Sequence, residues 1–148
     1  MSSSTIIKQK KTPDEIATSF QNNVVRLIDN LVTVLPPTEQ VVLEIVKWNL
    51  TERYDKHHII TKFIKHSSQF WNEIETDNEE FFLNDQHANK IFGDLPVDKV
   101  LNFKRYWIGD ENLNPLTDDD KIVIKQYFKS FVKQARNYDL QVNKKKND

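Results

Sequence analysis

Residues 12–37 read TPDEIATSFQNNVVRLIDNLVTVLPP, and this stretch decides the fold. Thr12 can cap a helix, Pro13 stands where a missing N–H costs nothing, and Glu15 can close a capping box. Ile16, Phe20, Val24, Leu27, Ile28, Leu31 and Leu35 then recur at intervals of three and four, which gives one apolar helical face. Pro36-Pro37 ends it, because the residue before a proline is driven out of the helical region. The segment is an amphipathic helix, and the question is what its face packs against.

Working outward, the answer is more helices. Thr38 opens a second, through about Thr51, in which Val41, Val42, Leu43, Ile45, Val46, Trp48 and Leu50 project almost all round the axis. Such a helix is expected at the centre of the domain, or else against a partner. Asp55 caps a third, running to about Glu75, with Ile59, Ile60, Phe63, Ile64, Phe70, Trp71 and Ile74 on one side. The next stretch, Glu73 to Asp85, carries six carboxylates and no Lys or Arg. Within it, Phe81 and Phe82 predict a short fourth helix ending near Gly93. Leu95-Pro96 starts a fifth, with Val97, Val100, Leu101, Phe103 and Trp107 inward, and Gly109 stops it. Thr117 caps the last. Asp118, Asp119 and Asp120 fill its positive first turn, and Ile124, Tyr127, Phe128, Phe131, Ala135 and Tyr138 form its inner face. The expectation is an all-α, compact bundle of about six helices over residues 12–140. Loose polar tails are expected at 1–11 and 141–148.

Composition agrees. At 148 residues the chain fits one domain and is long enough for its own core. Two glycines leave little scope for phosphate-cradling loops or tight hairpins. With no cysteine, disulfides, thiolate metal sites and Cys nucleophiles are excluded. No run resembles a secretory signal or a membrane span, which points to an intracellular protein without a membrane role. The sequon Asn49-Leu50-Thr51 is read as a chance match.

Chemistry is sparse. The four histidines, His57, His58, His66 and His87, lack the spacing of a zinc site, which needs three or four converging ligands. They read as surface residues. The loop from Asp110 opens like a calcium loop but has Pro115 where the EF-hand needs glycine. Lys121 stands where it needs a bidentate glutamate. Ser67 and Ser68 beside His66 are helix neighbours, not a catalytic triad. The reading is of a non-enzyme with no cofactor and no metal.

Charge is the most informative feature. Residues 121–148 hold eight Lys and Arg against two Asp and Glu, a net of +6, whereas the preceding 120 carry −7. Lys121, Lys125, Lys129 and Lys133 are spaced by four with Arg136 alongside, and Lys144, Lys145 and Lys146 continue the series. This basic ridge predicts a docking surface for a protein partner or, as the alternative, for nucleic-acid phosphates. Two plainer readings stand beside it. One is a solvated stripe complementing the helix dipole, and the other is a ridge that meets the chain's own acidic stretch.

One resemblance can be drawn. Ile91-Phe92-Gly93-Asp94-Leu95-Pro96, Phe103-Lys104-Arg105-Tyr106-Trp107, Leu116-Thr117 and Ile124-Lys125-Gln126-Tyr127-Phe128 resemble small helical proteins of large nucleocytoplasmic DNA viruses of protists. The likeness spans roughly residues 90–132. In that pattern the last helix carries Trp-x-Tyr-Leu, and Lys125-Gln126-Tyr127-Phe128 lacks the tryptophan. Fourteen asparagines with abundant Lys and Ile also suit an AT-rich genome. The resemblance implies a protein of the host cytoplasm, as a viral factory component, or of the virion. It would act by binding, and no catalytic residues are implied.

Overall fold

The cap at Thr12 forms as its chemistry requires. Thr12 Oγ1 accepts from the Glu15 amide at 3.2 Å, and the Glu15 carboxylate accepts from the Thr12 amide at 3.0 Å. α1 follows as Pro13–Val34. A computed structural model describes residues 11–83 and 102–147, the last four by backbone alone. Its other α-helices are α2 (Gln40–Trp48), α3 (Lys56–Ser67), α4 (Trp71–Glu75), α5 (Glu80–Leu83), α6 (Phe103–Ile108) and α7 (Asp118–Asn147). The fold is all-α, and among the described residues the only extended pairing is the bridge Asp110–Leu113. Among them, too, no helix is long and apolar enough to cross a membrane.

α1 and α7 are the two long helices and pack together, joined by polar contacts from Asn23 Nδ2 to Ser130 Oγ and Gln134 Oε1. Phe20 of α1, Phe63 of α3 and Phe131 of α7 meet in one aromatic cluster, with ring centroids 5.2–5.9 Å apart. A second cluster closes the other end. Phe128 touches Phe81, Phe82, Phe103 and Phe131, and Phe82 stacks on Trp107 at 4.4 Å. Tilted and edge-to-face contacts of this kind add to the burial energy of the rings. The buried side chains form one continuous core.

Several expectations need correction. α2 is not enclosed. Leu43, Val46 and Leu50 are buried, but Val41 is 63 % and Trp48 55 % exposed. The helix lies on the surface with its apolar excess turned outward. It ends in a π turn, Asn49–Arg53, closed by the Tyr54 amide on the Asn49 carbonyl. Asn49 of the sequon is itself buried, with its side-chain amide donating to the Ile45 carbonyl.

The predicted third helix is two. A 3₁₀ turn at Ser68–Phe70 separates α3 from α4. Buried Ser67 donates to the Phe63 carbonyl and accepts from the Trp71 indole at 2.9 Å. A hydroxyl bonded back to a helix carbonyl in this way bends or tightens the helix. The polar tail from 141 is largely α7, whose helix continues through Asn147. Lysine is a good helix former, and cations suit a helix C-terminus.

Gly109 ends α6 at φ 79°, ψ 177°, a region only glycine occupies readily. A Cβ there would lie 2.6 Å from the Leu113 carbonyl oxygen. The expected start of this helix at Leu95-Pro96, the inward Val97, Val100 and Leu101, and Gly93 lie outside the described residues. So do His87 and residues 1–10 of the N-terminal tail.

Candidate docking surface

The basic ridge is largely occupied by the chain itself. Thr117 caps α7, accepting from the Asp120 amide at 3.1 Å, and the four-residue spacing then aligns the cations along one side. The acidic segment between α4 and α5 lies against that side. Lys125 pairs with Glu79 at 2.7 Å, Lys129 with Asp77 at 2.9 Å, and Arg136 with Glu75 at 2.5 Å. Three alternate carboxylates thus meet three cations of α7 in antiparallel order. The turn that makes this alternation is Asp77, whose φ of 59° is the left-handed conformation Asp tolerates better than most residues. Arg136 also lies 4.9 Å over the Trp71 ring, and Lys121 lies 5.9 Å over Trp107.

Of the sequence-predicted cations, Lys125, Lys129 and Arg136 are therefore neutralised within the fold. Lys121 rests on an indole. Lys133 is exposed and has no ion pair among the described residues. The backbone of Lys144, Lys145 and Lys146 belongs to α7, and their side chains lie outside the described residues. Exposed pairs of this sort contribute at most about 1 kcal/mol each. The segment is held rather by its buried flanks, Ile74 and Phe81.

What remains open is a groove on the outer side of α7. Lys129, Lys133, Arg136, Asn137 and Leu140 line it with Glu75, around a depression of about 480 Å³. Leu140 is 70 % exposed, the most exposed large apolar side chain among the described residues. Its position, seven residues after Lys133 and four after Arg136, makes one helical stripe of the three.

Two other polar clusters are visible only in three dimensions. His57 bridges Tyr138 (Nδ1 to Oη, 2.8 Å) and Asp14 (Nε2 to Oδ1, 3.1 Å), while Lys56 pairs with the other Asp14 oxygen at 2.9 Å. The histidine read as a surface residue is a staple between the starts of α1 and α3 and the far part of α7. Burial holds the Tyr138 phenol above its usual range, so it stays protonated. His58 stacks on Tyr54. The second cluster is Arg105, which binds buried Glu39 at 2.5 Å and Asp110 at 2.6 Å. Asp110, the would-be first calcium ligand, is thus taken by a guanidinium and by the Asn112 amide. Among the described residues no three His, Asp or Glu converge as metal ligands would. No family model, curated protein or solved structure matches the chain.

The carboxylates of these clusters set the response to acid. Asp14 is held below its usual 3.8, first by Lys56 and then by His57. Glu79 is held below 4.5, first by Lys125, and Asp110 below 3.8, first by Arg105. A carboxyl with a lower pKa folded than unfolded binds fewer protons in the folded state. Its contribution is therefore complete above the unfolded pKa and lost as pH falls through the folded one. The urea midpoint is expected to hold from neutrality to about pH 5 and to drop below about pH 4. A midpoint unchanged at pH 3 would show that these pairs contribute nothing.

Proposed function

We propose that this chain is a non-enzymatic interaction module that takes a protein partner on the Lys133–Leu140 face of α7. The observation that carries the reading is Leu140, 70 % exposed in an open groove beside Lys133, Arg136 and Asn137. An apolar anchor beside Lys133, the groove cation that holds no ion pair among the described residues, fits a partner segment with a hydrophobic side chain next to a carboxylate. The resemblance at residues 90–132 is what supports a setting in a viral factory or virion.

Nucleic acid is the runner-up. Phosphate binding needs cations free to release counterions, and Lys125, Lys129 and Arg136 already hold Glu79, Asp77 and Glu75. Among the ridge cations whose side chains are described, Lys121 and Lys133 are left to it.

The test is capture of a partner from the native source with the wild-type chain and the Lys133→Glu/Leu140→Glu variant. Both positions are exposed, so the variant should unfold within about 0.5 kcal/mol of wild type yet retain no partner. Capture that survives the double change removes the α7 face from consideration. A duplex-binding affinity that falls by about 0.9 logarithmic units per phosphate contact for each tenfold rise in salt would favour the runner-up.

A further inference from the structure

The acidic segment that lies on α7 is held by its backbone as well as by its charges. α4 ends in a Schellman motif, in which the Asn78 amide donates to the Glu73 carbonyl at 2.9 Å and the Asp77 amide to the Ile74 carbonyl at 3.3 Å. Buried Ile74 and Phe81 fix its two ends. Residues 75–80 are exposed throughout, so the turn lies over the ridge and not within the core. Its three carboxylates take Arg136, Lys129 and Lys125 in order, while Lys133 between them keeps no ion pair among the described residues. The cations stand on one long helix, whereas the acids stand on an exposed turn between two short ones.

We infer that this turn is an autoinhibitory clasp, and that beneath it α7 is a phosphate-binding surface for nucleic acid. Lys121, Lys125, Lys129 and Lys133 recur at steps of four residues, about 6 Å each, and Arg136 follows. A row of cations reads no base edges, so the contact is to the backbone and indifferent to sequence. An acidic segment of another protein offers the ridge only what it already holds at the high effective concentration of a single chain. A duplex carries one charge per about 1.7 Å and gains by releasing its counterions, so it can compete where a peptide cannot. The strength of the clasp sets that competition. Each exposed pair is worth a factor of about five at most, so the three hold off a polyanion by up to about a hundredfold. The clasp turns on Lys125, Lys129 and Arg136, and the partner reading on Lys133 and Leu140, so either can fall without the other.

Anisotropy titrations of a short labelled DNA duplex with the full chain and its variants test the clasp. They are run at physiological ionic strength, where exposed charges more than about 8 Å apart are screened from one another. Glu75→Gln/Asp77→Asn/Glu79→Gln leaves the backbone bonds and buried flanks in place and should bind about ten- to a hundredfold more tightly than wild type. Each of its single substitutions should give up to about fivefold, which keeps the test decisive if the triple variant misfolds. Adding Lys125→Gln/Lys129→Gln/Arg136→Gln should abolish the gain. Glu44→Gln/Glu52→Gln/Glu111→Gln removes as many charges at exposed positions on other elements and should gain little. Single and triple variants no tighter than wild type overturn the inference. So does an equal gain in the Glu44, Glu52 and Glu111 control, which would make overall charge the cause. Polyglutamate that displaces the duplex from the opened variant at equal charge would reassign the surface to acidic protein and overturn the choice of nucleic acid.

Discussion

Replacing Phe128 by alanine is expected to lower the unfolding free energy by about 3–5 kcal/mol, a large fraction of what a domain of this size possesses. The ring is fully buried and meets Phe81, Phe82, Phe103 and Phe131 at centroid distances of 5.0–5.7 Å. Its loss removes the hub through which α7 holds α5 and α6. Neither short helix is long enough to be stable alone. At roughly 2–4 °C per kcal/mol, the melting temperature should fall by about 6–20 °C. Phe128→Leu keeps most of the volume and should cost much less. A Phe128→Ala cost under about 1 kcal/mol would mean that α5 and α6 do not pack on this ring.

How far the sequence reveals this arrangement differs element by element, for physical reasons. α1 is readable in full, because cap, proline and period are local signals that agree. Gly109 and Thr117 work the same way. α2 misleads because periodicity says which residues are apolar, not which side finds a neighbour. With apolar groups nearly all round, either face could have been the covered one. The break between α3 and α4 falls beside a buried hydroxyl bonded back to the Phe63 carbonyl, and no periodicity in the sequence marks it. The basic ridge and the acidic stretch are both plain in the sequence, and their meeting stands among its readings. Their register is not legible, since pairing 75, 77 and 79 with 136, 129 and 125 needs the placement of α4 and α5 on the core. The Asp14–His57–Tyr138 staple spans separations of 43 and 81 residues and leaves no local trace. Leu140, the centre of the proposed docking surface, could have been suspected as an apolar residue off the inner stripe of α7.

Arg105→Met is the second large effect, at about 3 kcal/mol. Glu39 is 9 % exposed, and its carboxylate meets the Arg105 guanidinium at 2.5 Å and the Thr38 hydroxyl only at 3.5 Å. Removing the guanidinium leaves a buried charge with almost no compensation, and breaking buried pairs in this way typically costs about 3–5 kcal/mol. The Arg105 side chain is 28 % exposed, so water reaches the site and the lower part of that range applies. Asp110, the other partner, is 41 % exposed and its replacement by asparagine should matter far less. The decisive comparison is the double variant Glu39→Gln/Arg105→Met, which removes both charges and should recover most of the loss. If the double variant is as unstable as Arg105→Met alone, the methionine is disrupting packing and the ion pair is not the cause. Because Glu39 immediately precedes α2 and Arg105 belongs to α6, the pair also anchors the start of the helix that carries Trp48. Urea titrations of the three variants therefore test the anchor at the start of α2 without touching its exposed face.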